Sequence, residues 1–233
     1  MKRFYATVGI GLANIGLYSI LLDGKPLKTP RRADFAVPSR GLAEAIAEEW
    51  RAQGPQFDPA AMFLTRCANT AIDYTAGNEA AVIGGILAYA DDLVCYRADT
   101  AAELAARQRE MWDPLLEWLD SRFGVRLKTG TGVAPVRQDA AVLAKLRAAL
   151  AGRGPFVLTA LHAAATICGS LALALALAEG RLTAEEAFAA SHLDEEYQME
   201  KWGRTAWAEA RARRLAAELS AAAQVMTLAR PTA

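Results

Sequence analysis

LYSILLDGKPLKTPRRADFAVPSRGLAEAIAEEW, Leu17 to Trp50, contains the change of period that decides the fold. Its first part reads as strands: Leu17 to Leu22, then Asp23-Gly24 as a two-residue hairpin turn, then a return over Lys25 to Leu27. From Ser39 the spacing changes. Leu42, Ile46 and Trp50 fall four apart, which places them on one helical face behind Ser39 as N-cap and before Gly54 as stop. Upstream, Phe4 to Ile10 reads as another strand, and a short pair is expected around Phe35 to Val37. Pro26, Pro30 and Pro38 confine their segments to edges and turns, because proline donates nothing to a ladder. The expectation is a small, irregular antiparallel sheet.

Helical signals dominate the remainder. Asp58-Pro59 opens a segment through Tyr74, and Asn78 caps one through Tyr89. Thr100 with Glu103 has the spacing of a capping box, as does Thr183 with Glu186. Asp113 before Pro114 reads as a fresh N-cap with proline at the first helical position, and Gly124 reads as a stop. Val125 to Val136 bears Gly, Thr and Pro and reads as a hairpin or loop. Val142, Leu143, Leu146 and Leu150 mark another amphipathic helix. Ala- and Arg-rich helical sequence runs from Thr183 nearly to the carboxyl terminus. The fold class is therefore α+β: a β-rich antiparallel amino-terminal domain, residues 1–54, followed by a larger multi-helical domain, residues 55–233.

The chain has 233 residues, 53% of them apolar and 22% charged, which supports a packed core. Twenty-six basic residues balance twenty-six acidic ones, so no net positive field holds a phosphate backbone, and nucleic acid is not an expected partner. Cys67, Cys95 and Cys168 are odd in number and set in apolar sequence, as buried thiols of a reducing compartment are. MKRFYATV carries neither an apolar signal core nor an Arg- and Ser-rich leader, so the expected location is the bacterial cytoplasm, with the mitochondrial matrix as its eukaryotic equivalent. Pro155 to Ala178 is long and apolar, but Thr159, His162, Thr166, Gly169 and Ser170 interrupt it. It reads as a central core helix packed on several sides, its Gly169-Ser170 pair allowing close approach, and not as a membrane insertion.

Several constellations invite chemistry. In GIGLANIG, Gly9 to Gly16, the third glycine of a dinucleotide fingerprint is missing and no amphipathic helix follows, so it reads as a bend and no cofactor is expected. His162 and His192 lie thirty positions apart without ligand-spaced companions, so no metal is expected. Asp91-Asp92 and the run Asp194, Glu195, Glu196, Glu200 raise the alternative of a small hydrolase working through paired carboxylates. A peripheral membrane protein using Pro155 to Ala178 is the other alternative. The later acidic run is interleaved with Tyr197, Met199 and Trp202, and aromatics beside charges suit a protein-binding surface.

Eight words in order carry a resemblance: RFY (Arg3 to Tyr5), LDGKPLKTP (Leu22 to Pro30), AIAEEW (Ala45 to Trp50), LTRCANTAID (Leu64 to Asp73), DDLVCYRA (Asp91 to Ala98), WDP (Trp112 to Pro114), CGSLALALAL (Cys168 to Leu177) and LDEEYQMEKWG (Leu193 to Gly203). Together they resemble the family of ATP synthase assembly chaperones dedicated to the α subunit, found in mitochondria and α-proteobacteria. The resemblance implies a β-rich amino-terminal part and a helical carboxyl-terminal part, no cofactor and no catalytic residue. It further implies a chaperone that holds the unassembled ATP synthase α subunit and shields its β-facing surface; the sequence does not fix the oligomeric state, and a monomer is the expected form. The family's sensitive acidic position falls at Asp194 or Glu195, and Trp50 is a second sensitive position, structural or functional. On a helix Asp194, Tyr197, Gln198 and Lys201 share one face, with Glu195, Met199 and Trp202 beside them. The expected client-facing set is Asp194, Glu195, Tyr197, Gln198 and Trp202, with Met199 and Trp202 also expected to anchor the helix to the core.

Overall fold

A computed structural model describes residues 2–132 and 134–230. The strand order is β1 (Val8–Asn14), β2 (Leu17–Leu22), β3 (Lys25–Pro26), all antiparallel in one three-stranded sheet. Asp23 (φ 49°) and Gly24 (φ 78°) close the β2–β3 hairpin in the left-handed region, as a two-residue turn requires. The first strand starts later than the sequence implies, at Val8, because Tyr5 is drawn into an aromatic core and Asp23 holds the Ala6 and Thr7 N–H groups. Val37 and Asp34 make only isolated bridges, to Tyr18 and Lys28.

Helix α1 (Arg40–Arg51) starts where Ser39 accepts from the Leu42 N–H, and it buries Leu42, Ile46 and Trp50 as the spacing dictates. Then follow α2 (Phe63–Thr70), which continues as a π-helical turn over Ala71–Thr75, and α3 (Glu79–Leu87). Beyond these come β4 (Tyr96–Arg97), α4 (Ala102–Phe123), β5 (Gly130–Thr131), α5 (Ala140–Leu150), α6 (Pro155–Cys168), α7 (Leu171–Ala178), α8 (Ala184–Ser191), α9 (Leu193–Trp202) and α10 (Ala206–Leu228). The chain is α+β, with a small antiparallel sheet first and helices after it.

The described residues form two compact units: 2–79 with 153–160 and 221–230, and 80–152 with 161–220. In the first, Ile20, Phe35, Val37, Leu42, Ile46 and Met62 are fully enclosed. In the second, the enclosed set includes Trp112, Leu119, Leu146, Leu150, Leu161 and most of α7.

Four local expectations change. The apolar run is two helices, because Gly169 takes φ +60° and the Ser170 N–H reaches back to the Ala165 carbonyl, a left-handed helix stop. Ser170 then caps α7 by accepting from Leu173 N–H at 3.0 Å. The expected packing pair is thus a stop and a start. Pro114 lies inside α4, where Trp112, Leu115 and Leu119, all buried, carry the helix through it, and Asp113 binds Arg97 at 2.6 Å instead of capping. Thr100 caps nothing in α4, whose N-cap is Ala101, and Glu103 pairs with Arg107 and Lys201. Finally, of the two readings of Val125 to Val136 the hairpin falls, since Gly130–Thr131 pairs in parallel with Tyr96–Arg97, and the described residues on either side of it are loop. The Thr183–Glu186 capping box and the Gly124 stop (φ +64°) form as read.

Candidate functional site

The words that carry the resemblance are stitched together in pairs by carboxylates and backbone donors. Glu49, from AIAEEW, accepts from the Leu64 and Thr65 N–H groups at 2.7 and 2.8 Å and from the Thr65 hydroxyl at 2.9 Å. It therefore caps α2 from a distant position in sequence, satisfying donors that a helix start leaves free. Burial pushes its carboxyl above the usual range while those donors pull it down. Asp73, from LTRCANTAID, accepts from the Thr29 hydroxyl at 2.6 Å and the Arg31 N–H at 3.1 Å, tying that word to LDGKPLKTP.

The same device closes the second unit. Asp92 is fully buried and accepts from the Val94 N–H at 3.2 Å and the Ala172 N–H at 2.8 Å, so DDLVCYRA holds the start of α7 in CGSLALALAL. Desolvation raises its carboxyl to about 6 against the pull of the Ser170 hydroxyl and of these backbone donors. Both oxygens are thereby committed to backbone, and Asp91 is bonded to the Tyr96 hydroxyl. Arg97 links onward to Asp113 and lies 5.1 Å over the Trp112 ring, while the Trp112 Nε1–H donates to the Ala190 carbonyl at 2.9 Å.

Trp50 lies in an aromatic cluster with Tyr5 and Phe57, each at 5.4 Å between ring centroids, and Phe4 at 6.4 Å. The Tyr5 hydroxyl donates to the Trp50 carbonyl at 2.6 Å. The indole N–H of Trp50 is buried and has no hydrogen-bond acceptor among the described residues.

Helix α9 turns two different faces to its surroundings. Asp194 accepts from Gln108 Nε2 at 2.8 Å, and Gln108, itself buried, accepts from the Ala98 N–H at 2.8 Å. Tyr197 lies beneath Arg107 and Lys201, at 5.5 and 5.1 Å from its ring centre. Lys201 and Arg107 both bind Glu103, and Arg107 binds Glu200. Those two cations hold the Glu103 carboxyl below the usual range, with Lys201 the larger influence. Asp194 and Tyr197 are therefore engaged with α4.

Glu195, Gln198, Met199 and Trp202 line the other face. Gly203 (φ +95°) ends α9, and Thr205 starts α10 by accepting from the Ala208 N–H at 3.2 Å. A side chain at Gly203 would be strained at that φ, so the elbow requires glycine. On its two sides Trp202 is 80% exposed and Trp207 74% exposed. With His192, Arg211 and the four α9 residues they border an open groove of about 310 Å³. Trp202 is thus no core anchor, because the elbow turns its ring outward, and Met199 is half-buried in the groove wall. His192 stacks on Phe188 at 3.9 Å, and burial lowers its pKa below the ordinary value. Two features of this region escaped sequence reasoning: Trp207, which lies outside every word, and the Gln108 support under Asp194. Gly203 directly after Trp202, followed by Thr205 as a helix cap, is the local signal from which the elbow could have been read.

Among the described residues no cluster of three or more His, Cys, Asp or Glu is placed to hold a metal ion. None of their helices is long and apolar enough to cross a membrane.

Comparison with known proteins places this arrangement in a class. The crystal structure of Atp12 from Paracoccus denitrificans is 44% identical, with 98% of each chain covered and a TM-score of 0.90, and the structure of a point mutant of that protein matches equally well. The α+β architecture is therefore shared over nearly the whole length. Protein atp12, mitochondrial, of Schizosaccharomyces pombe is 26% identical over 215 residues, 87% of this chain and 74% of that one. The family model described as ATP12 chaperone protein matches residues 2–120. The chain belongs to the ATP12 chaperone family.

Proposed function

We propose that this protein is an assembly chaperone of the F-type ATP synthase that binds the unassembled α subunit, covers the surface destined for the β subunit, and does no chemistry of its own. The observation that carries a protein client is the groove at the α9–α10 elbow, where Trp202 and Trp207 stand exposed between Glu195 and Arg211. Large apolar patches with a polar rim mark interaction surfaces, and tryptophan dominates the energetics of such surfaces. Membership of the ATP12 chaperone family supports the α subunit as that client, together with the order of words that resembles chaperones dedicated to it. An orphan subunit of a hetero-oligomer exposes its assembly interface and aggregates, and a temporary cover raises the yield of correct assembly.

Of the expected client-facing set, Glu195, Gln198 and Trp202 are the direct contacts in this proposal. Asp194 and Tyr197 act behind them, fixing α9 against Gln108, Glu103 and Arg107. Trp50 serves the core of the first unit. A cytoplasmic location and a monomeric working form belong to the same proposal.

Co-expression with the α subunit, and separately with the β subunit, tests the reading. The expected result is soluble α recovered in complex with the tagged protein and no complex with β. Equal capture of both subunits, or of neither, overturns it.

A further inference from the structure

The amino-terminal sheet has one edge, along β1, whose outward main-chain groups no described backbone group bonds. β1 pairs with β2 only, and no other described backbone group bonds to it. The direction of its backbone groups follows from β2. The Tyr18 N–H and C=O are both bonded to Val37, at 3.0 and 2.9 Å, and the Ile20 C=O accepts from the Leu27 N–H at 2.8 Å. Opposed residues of an antiparallel ladder alternate between exchanging bonds and facing away from each other. Tyr18 and Ile20 face away from β1, so their partners Leu12 and Ile10 turn their N–H and C=O groups away from β2. Val8 does the same by the period of two, since the preceding Thr7 C=O accepts from the Asp23 N–H at 3.1 Å.

Natural edges of this kind are ordinarily blunted with charge or proline. Here no charged residue and no proline occurs between Arg3 and Asp23. The only disruption is a bulge at the far end, between Leu12 and Asn14. Leu12 is 77% exposed, and Ile15 in the turn is 99% exposed. Val8, Ile10 and Leu12 share one face, and the opposite face carries Gly9 and Gly11, with Leu21 nearest to both: its Cδ1 would lie 3.1 Å from a Cβ at Gly11. Glycine in a strand leaves room for another backbone to approach.

We propose that this edge is a second binding site, which takes an extended, uncharged, apolar segment of a client chain as a fourth strand through the main-chain groups of Val8, Ile10 and Leu12. The neutral edge selects against charged segments, whose desolvation nothing here offsets. A second copy of the chain is the poorer occupant. A seven-residue strand is roughly 23 Å long, and edge-to-edge pairing over that length covers only a fraction of the ~800 Å² per partner of a stable complex between folded proteins. A loose segment needs only the strand and its side-chain contacts. The site lies apart in sequence from the α9–α10 groove and is independent of which subunit the groove holds.

Residue-resolved amide exchange with a terminally blocked octapeptide of alternating valine and threonine tests it. At ten times the Kd, exchange at Val8, Ile10 and Leu12 is expected to slow about tenfold, while Gly9 and Gly11, already bonded to β2, stay unchanged. The same peptide methylated on alternate amides, and the exposed-site variant Leu12→Lys with the parent peptide, are expected to lose the effect. Trp202→Ala is expected to keep it, which separates this site from the groove. An unchanged profile, protection without alternation, or equal binding of the methylated peptide overturns the proposal. Protection of the three amides that rises with protein concentration and needs no peptide assigns the edge to a second copy and overturns it as well.

Discussion

Helix α7 and the α9–α10 elbow use apolar side chains in opposite ways. Every residue of LALALALA is buried, its start is held by Ser170 and Asp92, and its end is closed by the Arg181 N–H on the Ala176 carbonyl. At the elbow two tryptophans stand in solvent although the helices that carry them are as regular. The difference lies in what the backbone around each has been given. α7 is saturated, so nothing there is left to bind a partner; the elbow leaves aromatic area unused and keeps charges at its rim. A binding protein needs both, a scaffold that does not yield and a surface that is not satisfied until the partner arrives.

The sharpest way to break this comparison is Asp92→Ala. It orphans the Val94 and Ala172 N–H groups inside the core, at about 1–3 kcal/mol each. Denaturant unfolding is expected to show that loss, while Trp202→Ala changes stability by no more than ~0.5 kcal/mol, as surface changes do. Equal losses for the two variants would erase the distinction.

Acidity sharpens it further. The Asp92 carboxyl titrates at about 6 in the fold against 3.8 as its ordinary value, so between those pH values the folded chain holds a proton that the unfolded chain releases. Its contribution is fully present below the unfolded pKa and is lost as pH rises through the folded one. The shift corresponds to roughly 3 kcal/mol. The stability difference between the parent and Asp92→Ala is therefore expected to grow as pH falls from 7.5 to 4.5. A difference that shrinks over that range means Asp92 is held as the anion.

Within α9 the same contrast separates neighbours. Asp194→Lys places a cation against the buried Gln108 amide and frees a buried donor, for a loss of about 1–3 kcal/mol. Glu195→Lys, on the exposed rim, is expected to stay within ~0.5 kcal/mol of the parent. Thermal unfolding of the pair decides it, and a larger loss at Glu195 would reverse the assignment of the two faces.

Local signals made much of the architecture legible. Asp23-Gly24, Ser39, Gly124 and the Thr183–Glu186 box each act through neighbours in sequence, and each formed as read. The break at Gly169-Ser170 was hidden because a run apolar on every face carries no period to interrupt. Glu49 and Asp92 were hidden as caps, since their donors lie 15 or more positions away in three of the four backbone bonds. The α9 residues were legible as a group, but the face each one takes was not. An aromatic on an amphipathic helix reads as core until the elbow after it is known, and Gly203 with Thr205 is the local pattern that marks it.

The smallest effect on the fold is expected to be the largest on function. Binding of the purified α subunit by the parent and by the double variant Trp202→Ala with Trp207→Ala, both first shown to melt at the same temperature, tests the central claim most directly. Loss of about 2 kcal/mol or more, roughly thirtyfold in Kd, is the predicted result. Unchanged affinity at unchanged stability would contradict it and place the client elsewhere.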